Sequence, residues 1–357
     1  MIPISSLRTV VVGARCSHQG IGEHVARFLA QAGAAVEAVV GTHIETASEA
    51  ARNLQQRHGL RCRPYDSLEH ALAEQQPDLV ALCSPYRYHL DQLARVAESG
   101  AHCLCEKPLW WTDRDDPNDR PPVRPTTSRI AEEFSRRGRL LTLVTQWPCT
   151  LAAFDELHPS ARKSPVESFT MFLGPHSTGL KMVIDAAPHP ISMLQALLGP
   201  GRMEEVEASW QRPALDMVIL RGRYVHHSGL CAFGLTFRCT PSRPRLAAYS
   251  INGARACRRI DLGELRMGSS DLRTYRMRLG DGPDPGARFV DLPDPLERLA
   301  RDTVESAREA STSSAVSLRA RSELLVQGLE CLEVLEQAAV RALSAANPEF
   351  EPFTELL

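Results

Sequence analysis

Lysine is nearly absent from this chain of 357 residues. The 41 basic residues are 38 arginines and three lysines, at Lys107, Lys163 and Lys181. Arginine keeps its proton at any working pH, whereas a lysine ammonium can release one when its surroundings favour the neutral form. The few positions that keep lysine are therefore candidates for proton chemistry.

Several other shortages exclude whole classes of protein. The sequence has no run of 18 apolar residues, so it predicts no membrane-spanning helix. A net charge of −2 leaves no basic excess to neutralise a phosphate backbone, so we expect no nucleic-acid partner. Arg8 interrupts the short apolar start and no cleavage pattern follows it, so we expect no signal peptide and a cytoplasmic protein.

The ten cysteines form no C-x-x-C pair, which is a common spacing of structural zinc ligands. Several of them lie in apolar runs, including Cys83, Cys103 and Cys105. Such cysteines are typical of small buried side chains in a reducing compartment. Chelation by Cys103 and Cys105 stays open as an alternative, but the sequence predicts no metal site.

What is present is the composition of a globular protein, with 43% hydrophobic and 24% charged residues over a length that suits two domains. The first third alternates short apolar runs with amphipathic stretches, which predicts a parallel sheet joined by helices. The predicted strands are 8–12, 34–40, 60–64, 78–83 and 102–105, and the clearest helices cover 44–57 and 88–99. We therefore expect a Rossmann domain over residues 1–150.

A glycine-rich turn follows the first predicted strand. Gly13, Gly20 and Gly22 lie between that strand and a helix, together with Arg15 and Ile21. Backbone N–H groups at such a turn, and the dipole of the helix that follows, favour a bound pyrophosphate. The turn is longer than the tight G-x-G-x-x-G form, and a plain connecting loop is the alternative.

The end of the second predicted strand bears on the choice of cofactor. A carboxylate there would bind the adenosine ribose and favour NAD, but the chain has Gly41-Thr42-His43, and Glu45 comes later. A 2′-phosphate is not repelled at this point, Thr42 can donate to it, and Arg15 has the reach to meet it. The pattern favours NADP, with NAD as the alternative.

The stretch from 78 to 108 carries a more specific signal. The fourth strand ends in Ser-Pro, a histidine and a helix follow, and the fifth strand closes in Glu-Lys-Pro. The motif residues are Ser84, Pro85, His89, Gly100, His102, Glu106, Lys107 and Pro108. This composite resembles the Gfo/Idh/MocA family, named after glucose–fructose oxidoreductase and inositol dehydrogenase. The resemblance implies that Ser84, Pro85, His89 and Glu106 help to bind the cofactor, as does Lys107.

A second stretch, 183–199, resembles the D-x-x-x-H helix of the same family. That helix supplies a catalytic histidine and an accompanying aspartate, here His189 and Asp185. The family's aspartate three residues after the histidine is Ser192 in this chain. Pro188 and Pro190 flank the histidine, and a helix tolerates them only if it begins near 187.

The resemblance implies hydride transfer between nicotinamide and a hydroxyl or carbonyl group of a sugar, polyol, cyclitol or similar small molecule. His189 would exchange the proton, Lys107 would polarise the oxygen, and Asp185 would orient the histidine or bind a hydroxyl. Gln146, Trp147 and Lys181 are further candidates to line the substrate site. Each residue also has a plainer structural alternative. His189 would be a core histidine, Asp185 a helix cap and Trp147 a buried core residue. Lys107 would form a salt bridge with Glu106 or Asp185.

The remainder, 151–357, is expected to form an α+β domain with an open, mostly antiparallel sheet and C-terminal helices over 294–344. Strand-like alternation occurs at 165–173, at 204–211 and through 216–279. In the family such a sheet holds the substrate and often builds a homodimer or homotetramer. The polar, proline-rich stretch 109–128 is expected to be a surface loop and lid, with Trp110 and Trp111 over the nicotinamide or in a subunit contact.

Two other functions stay open. The altered surroundings of His189 are compatible with an NAD(P)-binding sensor or scaffold that catalyses nothing. The tryptophans at 110, 111 and 147 are compatible with a reductase of an imine or of a non-sugar carbonyl in a biosynthetic pathway.

Overall fold

A computed structural model describes residues 6–15, 21–112, 120–242, 244–262, 275–282, 286–310 and 315–344. The chain divides into two compact units. The first unit is Met1–Thr145 with Leu296–Leu329, and the second is Gln146–Pro295 with Glu330–Leu357. Within the described ranges, no helix is both long enough and apolar enough to cross a membrane.

The strands and helices are numbered in chain order. The strands are β1 (Leu7–Val12), β2 (Ala34–Val40), β3 (Arg63–Tyr65), β4 (Leu79–Leu82), β5 (His102–Cys105), β6 (Leu141–Leu143), β7 (Ser168–Leu173), β8 (Gly201–Trp210), β9 (Met217–His226), β10 (Gly229–Arg238), β11 (Ala247–Ile251), β12 (Ala254–Leu262), β13 (Tyr275–Gly280) and β14 (Phe289–Leu292). The helices are α1 (Gly22–Gln31), α2 (Ile44–His58), α3 (Leu68–Gln75), α4 (His89–Ser99), α5 (Val123–Arg136), α6 (Leu151–Leu157), α7 (Leu180–Ala186), α8 (Pro188–Leu198), α9 (Pro295–Ala310) and α10 (Ala315–Ser344).

The first unit is built on a six-stranded sheet in the order β3-β2-β1-β4-β5-β6, and every neighbouring pair is parallel. This confirms the Rossmann fold expected from the alternating pattern. Strands β4 and β5 are buried along their whole length, which is why they appear in the sequence as unbroken apolar runs. The strand order reverses between β1 and β4, and ligands of such sheets bind outside the carboxyl ends of the strands at that point.

Helix α9 belongs to the first unit, which corrects the expectation that all the C-terminal helices join the second domain. Leu296, Ala300 and Val304 lie in the same buried cluster as Val11 and Val25 of the Rossmann core. One face of the parallel sheet needs an apolar cover, and the apolar stripe of α9 supplies part of it. The boundary in the middle of the chain falls after Thr145, close to the expected position at 150.

The second unit is built on an eight-stranded sheet in the order β14-β13-β12-β11-β7-β10-β9-β8. Only β7 and β10 pair in parallel, and the other neighbours are antiparallel. The expected open, mostly antiparallel sheet is therefore confirmed. Helices α6, α7 and α8 belong to the same unit as this sheet.

The D-x-x-x-H stretch forms two helices, α7 and α8, that meet at Ala187. The N–H of Ala187 donates to the carbonyl of Val183 (2.9 Å), and that of Ile191 donates to Ala187 (3.1 Å). Helix α8 begins at Pro188, where a missing N–H costs no helical hydrogen bond. The sequence condition for tolerating both prolines is met.

Candidate active site

The described part of the glycine turn lies tightly against the carboxyl end of β1. Gly13 has a φ of +77°, and a Cβ there would lie 2.7 Å from the Cys83 carbonyl oxygen. A Cβ on Gly22, at the start of α1, would lie 2.2 Å from the Gly13 oxygen. Only glycine fits either position, and the turn leaves the helix N-terminus as the donor set that a pyrophosphate needs. Ile21 lies just before α1, and Gly20 falls outside the described residues.

A buried acidic residue in the first turn of α1 is neutralised by α2. The carboxylate of Glu23 accepts from Arg57 Nη1, which lies 3.2 Å from each oxygen, and His58 Nε2 lies 3.0 Å from Oε1. An unpaired carboxylate next to this helix N-terminus would repel a phosphate. The partners on α2 offset that charge.

The end of β2 offers polar groups at the surface. The N–H of Gly41 donates to the carbonyl of Tyr65 (2.9 Å), and Thr42 and His43 are exposed. Arg15, in the glycine turn, forms an exposed ion pair with Glu49 on α2 (Nη2 to Oε2, 3.0 Å). A 2′-phosphate would have to compete with Glu49 for this guanidinium.

Ser84 and Pro85 follow β4, as the motif predicts. The Ser84 hydroxyl donates to the side-chain oxygen of Gln92 on α4, and a short 3-10 turn covers Tyr86–Tyr88. These contacts hold the segment that follows β4 against the start of α4. The Ser84 carbonyl lies 2.7 Å from Nε2 of His89.

His89 is fully buried, and both of its ring nitrogens face protein atoms. Nδ1 lies 3.2 Å from the carbonyl oxygens of Pro108 and Leu109 and 3.3 Å from the Cys105 sulfur. Burial lowers the pKa of His89, so the ring is neutral near pH 7. The cofactor contact that the motif implies for His89 stays a prediction.

Lys107 follows β5 at the carboxyl edge of the sheet. Its side chain is 13% exposed, and its Nζ lies 3.9 Å from Oε1 of Glu106. The Lys107–Pro108 peptide bond is cis. This distance is at the outer limit of an ion pair, so the alternative salt bridge between Lys107 and Glu106 is present but long.

The two tryptophans after the Glu-Lys-Pro turn lie inside the first unit, which corrects the expected lid. Trp110 and Trp111 are fully buried. The indole N–H of Trp110 donates to Thr127 Oγ1 on α5 (3.0 Å), and the Arg120 guanidinium lies 3.9 Å from the centre of the Trp111 ring. Large apolar rings gain more free energy from burial than from covering an exposed site. The expected loop 109–128 is thus partly core and partly helix, and its centre, 113–119, falls outside the described residues.

The buried cysteines of the first unit do not favour metal binding. Burial raises the pKa of Cys83, Cys103 and Cys105, which keeps their thiols protonated. Among the described residues there is no group of three or more His, Cys, Asp or Glu side chains arranged to hold a metal ion.

In the second unit His189 lies against an aromatic wall. The Trp147 indole meets the His189 ring edge-on, with ring centres 6.4 Å apart. Trp147 lies in a 3-10 turn (Trp147–Thr150) and is buried, and Gln146 just before it is half-buried. Trp147 is thus buried, as its core interpretation predicts, and its role in a substrate pocket stays a prediction.

Two residues of this wall were missed by the sequence reasoning. The Tyr249 ring lies 6.2 Å from that of Trp147, and its hydroxyl is 2.9 Å from Thr150 Oγ1. The Arg258 guanidinium lies 5.3 Å from the centre of the Trp147 ring. Neither residue belongs to a motif, and each comes from a strand about 100 residues further along the chain.

The remaining candidates lie on α7 and α8. Asp185 is half-buried near the end of α7, one helical turn before His189, and Lys181 is exposed at its start. The Ser192 hydroxyl donates to the His189 carbonyl (2.7 Å). The Ser192 hydroxyl is therefore bound to the backbone of its own helix, and it does not replace the aspartate that the family has at this position.

Part of the chain is similar to known proteins. Residues 7–115 match the model of Gfo/Idh/MocA, described as an oxidoreductase family with an NAD-binding Rossmann fold. Over 162 residues the chain is 25% identical to D-glucoside 3-dehydrogenase of Escherichia coli (strain K12), which covers 44% of this chain and 46% of that protein. Over 90 residues it is 37% identical to UDP-N-acetylglucosamine 3-dehydrogenase of Acidithiobacillus ferrooxidans, covering 25% and 27%. The matches thus span less than half the length of both curated relatives.

The fold is also that of solved structures. KijD10, a 3-ketoreductase from Actinomadura kijaniata solved with NADP, has a TM-score of 0.64 to this chain at 18% identity, covering 94% of this chain and 98% of that one. Identity at this level shows a shared fold. Residues 7–115 are thus similar to the NAD-binding Rossmann part of the Gfo/Idh/MocA oxidoreductases.

Proposed function

We propose that this protein is an NAD(P)-dependent oxidoreductase that interconverts a secondary hydroxyl and a carbonyl group on a sugar, polyol or cyclitol. The observation that carries the proposal is Lys107. One of three lysines in the chain, it is held mostly buried at the carboxyl end of β5, on the edge of the sheet where Rossmann domains bind their ligands.

The residues of the first unit suit a dinucleotide. Gly13 and Gly22 form a turn with no space for side chains, and the charge of Glu23 is neutralised. We propose NADP as the cofactor, because the end of β2 carries exposed Thr42 and His43 with no carboxylate at the tip. When bound, the nicotinamide accepts or supplies the hydride.

The chain's own groups would manage the proton and the charge on oxygen. The Lys107 ammonium would donate a hydrogen bond to the substrate oxygen, which favours the developing negative charge. His189 would take up or release the hydroxyl proton, because an imidazole side chain can act as a general acid or base near neutral pH. Asp185, one helical turn earlier, would orient the imidazole or bind a neighbouring hydroxyl.

For the substrate, we propose a hexose unit oxidised or reduced at its 3-position. Two curated relatives are named as 3-dehydrogenases, of a D-glucoside and of UDP-N-acetylglucosamine, and the 3-ketoreductase shares the fold. The aromatic wall of Trp147 and Tyr249 suits the apolar face of a pyranose ring. Gln146 and Lys181 are then proposed contacts for its hydroxyls.

The test starts with binding. NADPH and NADH are titrated separately, followed by the quenching of tryptophan fluorescence. Sugars, glycosides and nucleotide sugars are then screened for turnover with the tighter cofactor. Deuterated reduced cofactor locates the labelled carbon in the product by NMR. We expect NADPH to bind more tightly than NADH and the label to appear at the 3-position.

The variants Lys107→Ala and His189→Ala separate catalysis from binding. Each should keep its cofactor affinity and lose roughly a hundredfold or more in kcat. Unchanged turnover in both would overturn the proposed roles. Cofactor binding without turnover of any substrate would instead support the sensor, and turnover confined to imines or non-sugar carbonyls would support the other alternative.

We also propose a cytoplasmic location and a homodimer or homotetramer. The described cysteines are all reduced, which supports a reducing compartment. Mass measurement of the purified protein under native conditions tests the assembly, and a monomer would contradict it.

A further inference from the structure

His89 contacts the chain on both sides of Lys107. The Cys105 sulfur, two residues before the lysine, lies 3.3 Å from Nδ1 of His89. The carbonyl oxygens of Pro108 and Leu109, one and two residues after it, lie 3.2 Å from the same atom. One buried ring thus contacts both ends of the segment that presents the lysine.

The opposite edge of the ring is anchored to a different loop. Nε2 lies 2.7 Å from the carbonyl oxygen of Ser84, in the segment that follows β4. This is the shortest of the ring's contacts, so we assign the single proton of the neutral imidazole to Nε2, which donates to Ser84. Nδ1 is then an acceptor, so it can accept only from the Cys105 thiol, and the carbonyl oxygens of Pro108 and Leu109 pack against it without a hydrogen bond.

The thiol of Cys105 completes this arrangement. Burial raises its pKa well above the usual range, so it keeps its proton and can donate to Nδ1 of His89. The ring therefore links the ends of two neighbouring strands, β4 and β5, through a donor on one side and an acceptor on the other.

We propose that His89 is a positioning residue that aims Lys107 at the substrate oxygen by tying the Glu-Lys-Pro turn to the segment after β4. The inference rests on the proposed role of Lys107 and adds a residue that acts through it. A hydrogen bond misplaced by a fraction of an ångström weakens the interaction with a developing charge.

Three variants separate the contacts of the His89 ring. In His89→Gln the side-chain amide reaches the position of Nε2 and keeps the donor to Ser84. In His89→Asn the amide reaches the position of Nδ1 and loses Ser84. Cys105→Ala removes the thiol donor alone and leaves the ring in place, so it is the mildest change.

His102 supplies a matched control. It is a buried histidine at the opposite end of β5, and its Nδ1 accepts from the backbone N–H of Leu140 (2.9 Å). His102→Asn should lower stability as the His89 variants do, but it lies away from the Glu-Lys-Pro turn. Its kcat should stay within about twofold of the parent.

The kinetic readout is a split between turnover and binding. We expect kcat to fall about tenfold or more in both His89 variants and less in Cys105→Ala, while the NADPH dissociation constant stays within about threefold. The pH profile of kcat should also shift, because the surroundings of the lysine change. A parallel loss of NADPH affinity would instead make His89 a cofactor-binding residue and overturn the proposal.

The scarcity of lysine allows a second readout that needs no activity. Reductive methylation with ¹³C-formaldehyde labels the three lysines and the α-amine, and each signal is assigned by a Lys→Arg variant. We expect the Lys107 signal and its titration to change in the His89 variants and to stay unchanged in His102→Asn. Lys163 and Lys181 should not respond in any of them.

The kinetic and the NMR measurements distinguish a failure of the proposed function from a failure of the positioning role of His89. If the parent protein turns over no substrate, the proposed function fails, and the Lys107 signal still decides whether His89 positions it. If the parent is active and neither kcat nor the Lys107 signal responds to His89→Gln and His89→Asn, the positioning role is wrong.

Discussion

The indole of Trp147 and the imidazole of His189 meet edge to face, with ring centres 6.4 Å apart and planes at 69°. Trp147 is 3% exposed, so the wall that meets the histidine is fixed in the interior of the second unit. Edge-to-face pairs of this kind add about 1 kcal/mol to the burial of the rings. The orientation of His189 thus depends on a residue outside its own helix.

Replacing Trp147 should therefore affect catalysis through His189. We expect Trp147→Phe to keep most of the activity, because a smaller ring still presents an edge or face. Trp147→Leu should lower kcat by about tenfold and raise KM for the sugar. Steady-state kinetics check this, and equal kinetic constants in the two variants would contradict it.

Arginine should not be able to replace Lys107 in catalysis. Lys107→Arg keeps the positive charge but changes the reach and the donor geometry and cannot release a proton, so kcat should fall by about a hundredfold. NADPH affinity should change little. Lys163→Arg, on an exposed turn of the second unit, is the matched control and should behave as the parent. An active Lys107→Arg variant would show that a positive charge at this position is enough and that the lysine's own reach and donor geometry are not required.

Gly22 should tolerate no side chain. In Gly22→Ala the new Cβ would lie 2.2 Å from the Gly13 oxygen, so the turn must open and the pyrophosphate donors must move. We expect NADPH affinity to fall by about tenfold or more, with a loss of stability of about 1–3 kcal/mol. Gly286→Ala meets no atom within 4 Å and is the control. Equal NADPH binding by both variants would count against the glycine turn as the cofactor site.

The surface at the end of β2 should set the choice between cofactors. Thr42→Asp places a carboxylate where it binds ribose hydroxyls and repels a 2′-phosphate, so preference should shift towards NADH by about tenfold or more. Glu49→Gln should tighten NADPH binding by a few-fold, because it frees Arg15 from its exposed ion pair. Paired titrations with NADPH and NADH measure both effects. No change in the NADPH to NADH ratio for either variant would place the adenosine ribose elsewhere.

His102 should make stability depend on pH. Burial lowers its pKa to about 4, helped by Arg139 and opposed by Asp78. The unfolded chain, with an ordinary histidine pKa near 6.5, binds more protons between these two values. The free energy of unfolding should therefore fall as pH drops from about 6.5 towards 4, by up to about 3 kcal/mol from this residue.

The variant His102→Asn tests this without removing the acceptor for Leu140, because the amide oxygen can replace Nδ1. Urea unfolding at pH 7 and at pH 4.5 should show a smaller loss of stability in the variant than in the parent. Identical losses in both proteins would assign the pH dependence to other groups, such as His89, whose pKa is also lowered by burial.

Local patterns in the sequence predicted much of the first unit. Strands β2 and β5 begin and end where their apolar runs do, and α4 fills the stretch between Ser-Pro and Gly100. Strands that alternate with helices predicted a parallel sheet. The unbroken apolar runs agree with this, because strands of a parallel sheet are buried on both faces. The short strand β3 and the helices α3 and α5 have weaker periodicity and were misplaced or missed.

The candidate site was predicted only as far as its motifs reach. The positions of Lys107 and His189 follow from short sequence patterns. The contacts around them do not, because a pattern identifies which residues are apolar or polar and not which distant surface covers them. Tyr249 lies 99 residues after Thr150 and still shares a hydrogen bond with it.

The sequence by itself determined the alternation of strands and helices in most of the first unit, the mostly antiparallel sheet of the second unit, and the residue types of the candidate site. Those properties depend on periodicity and on turns within a few residues. Only the tertiary structure decided that Trp110 and Trp111 are core, that α9 joins the first unit, and that His89 turns its ring to the protein. Packing made these choices, since a large ring or an apolar stripe is most stable where other elements exclude water from it.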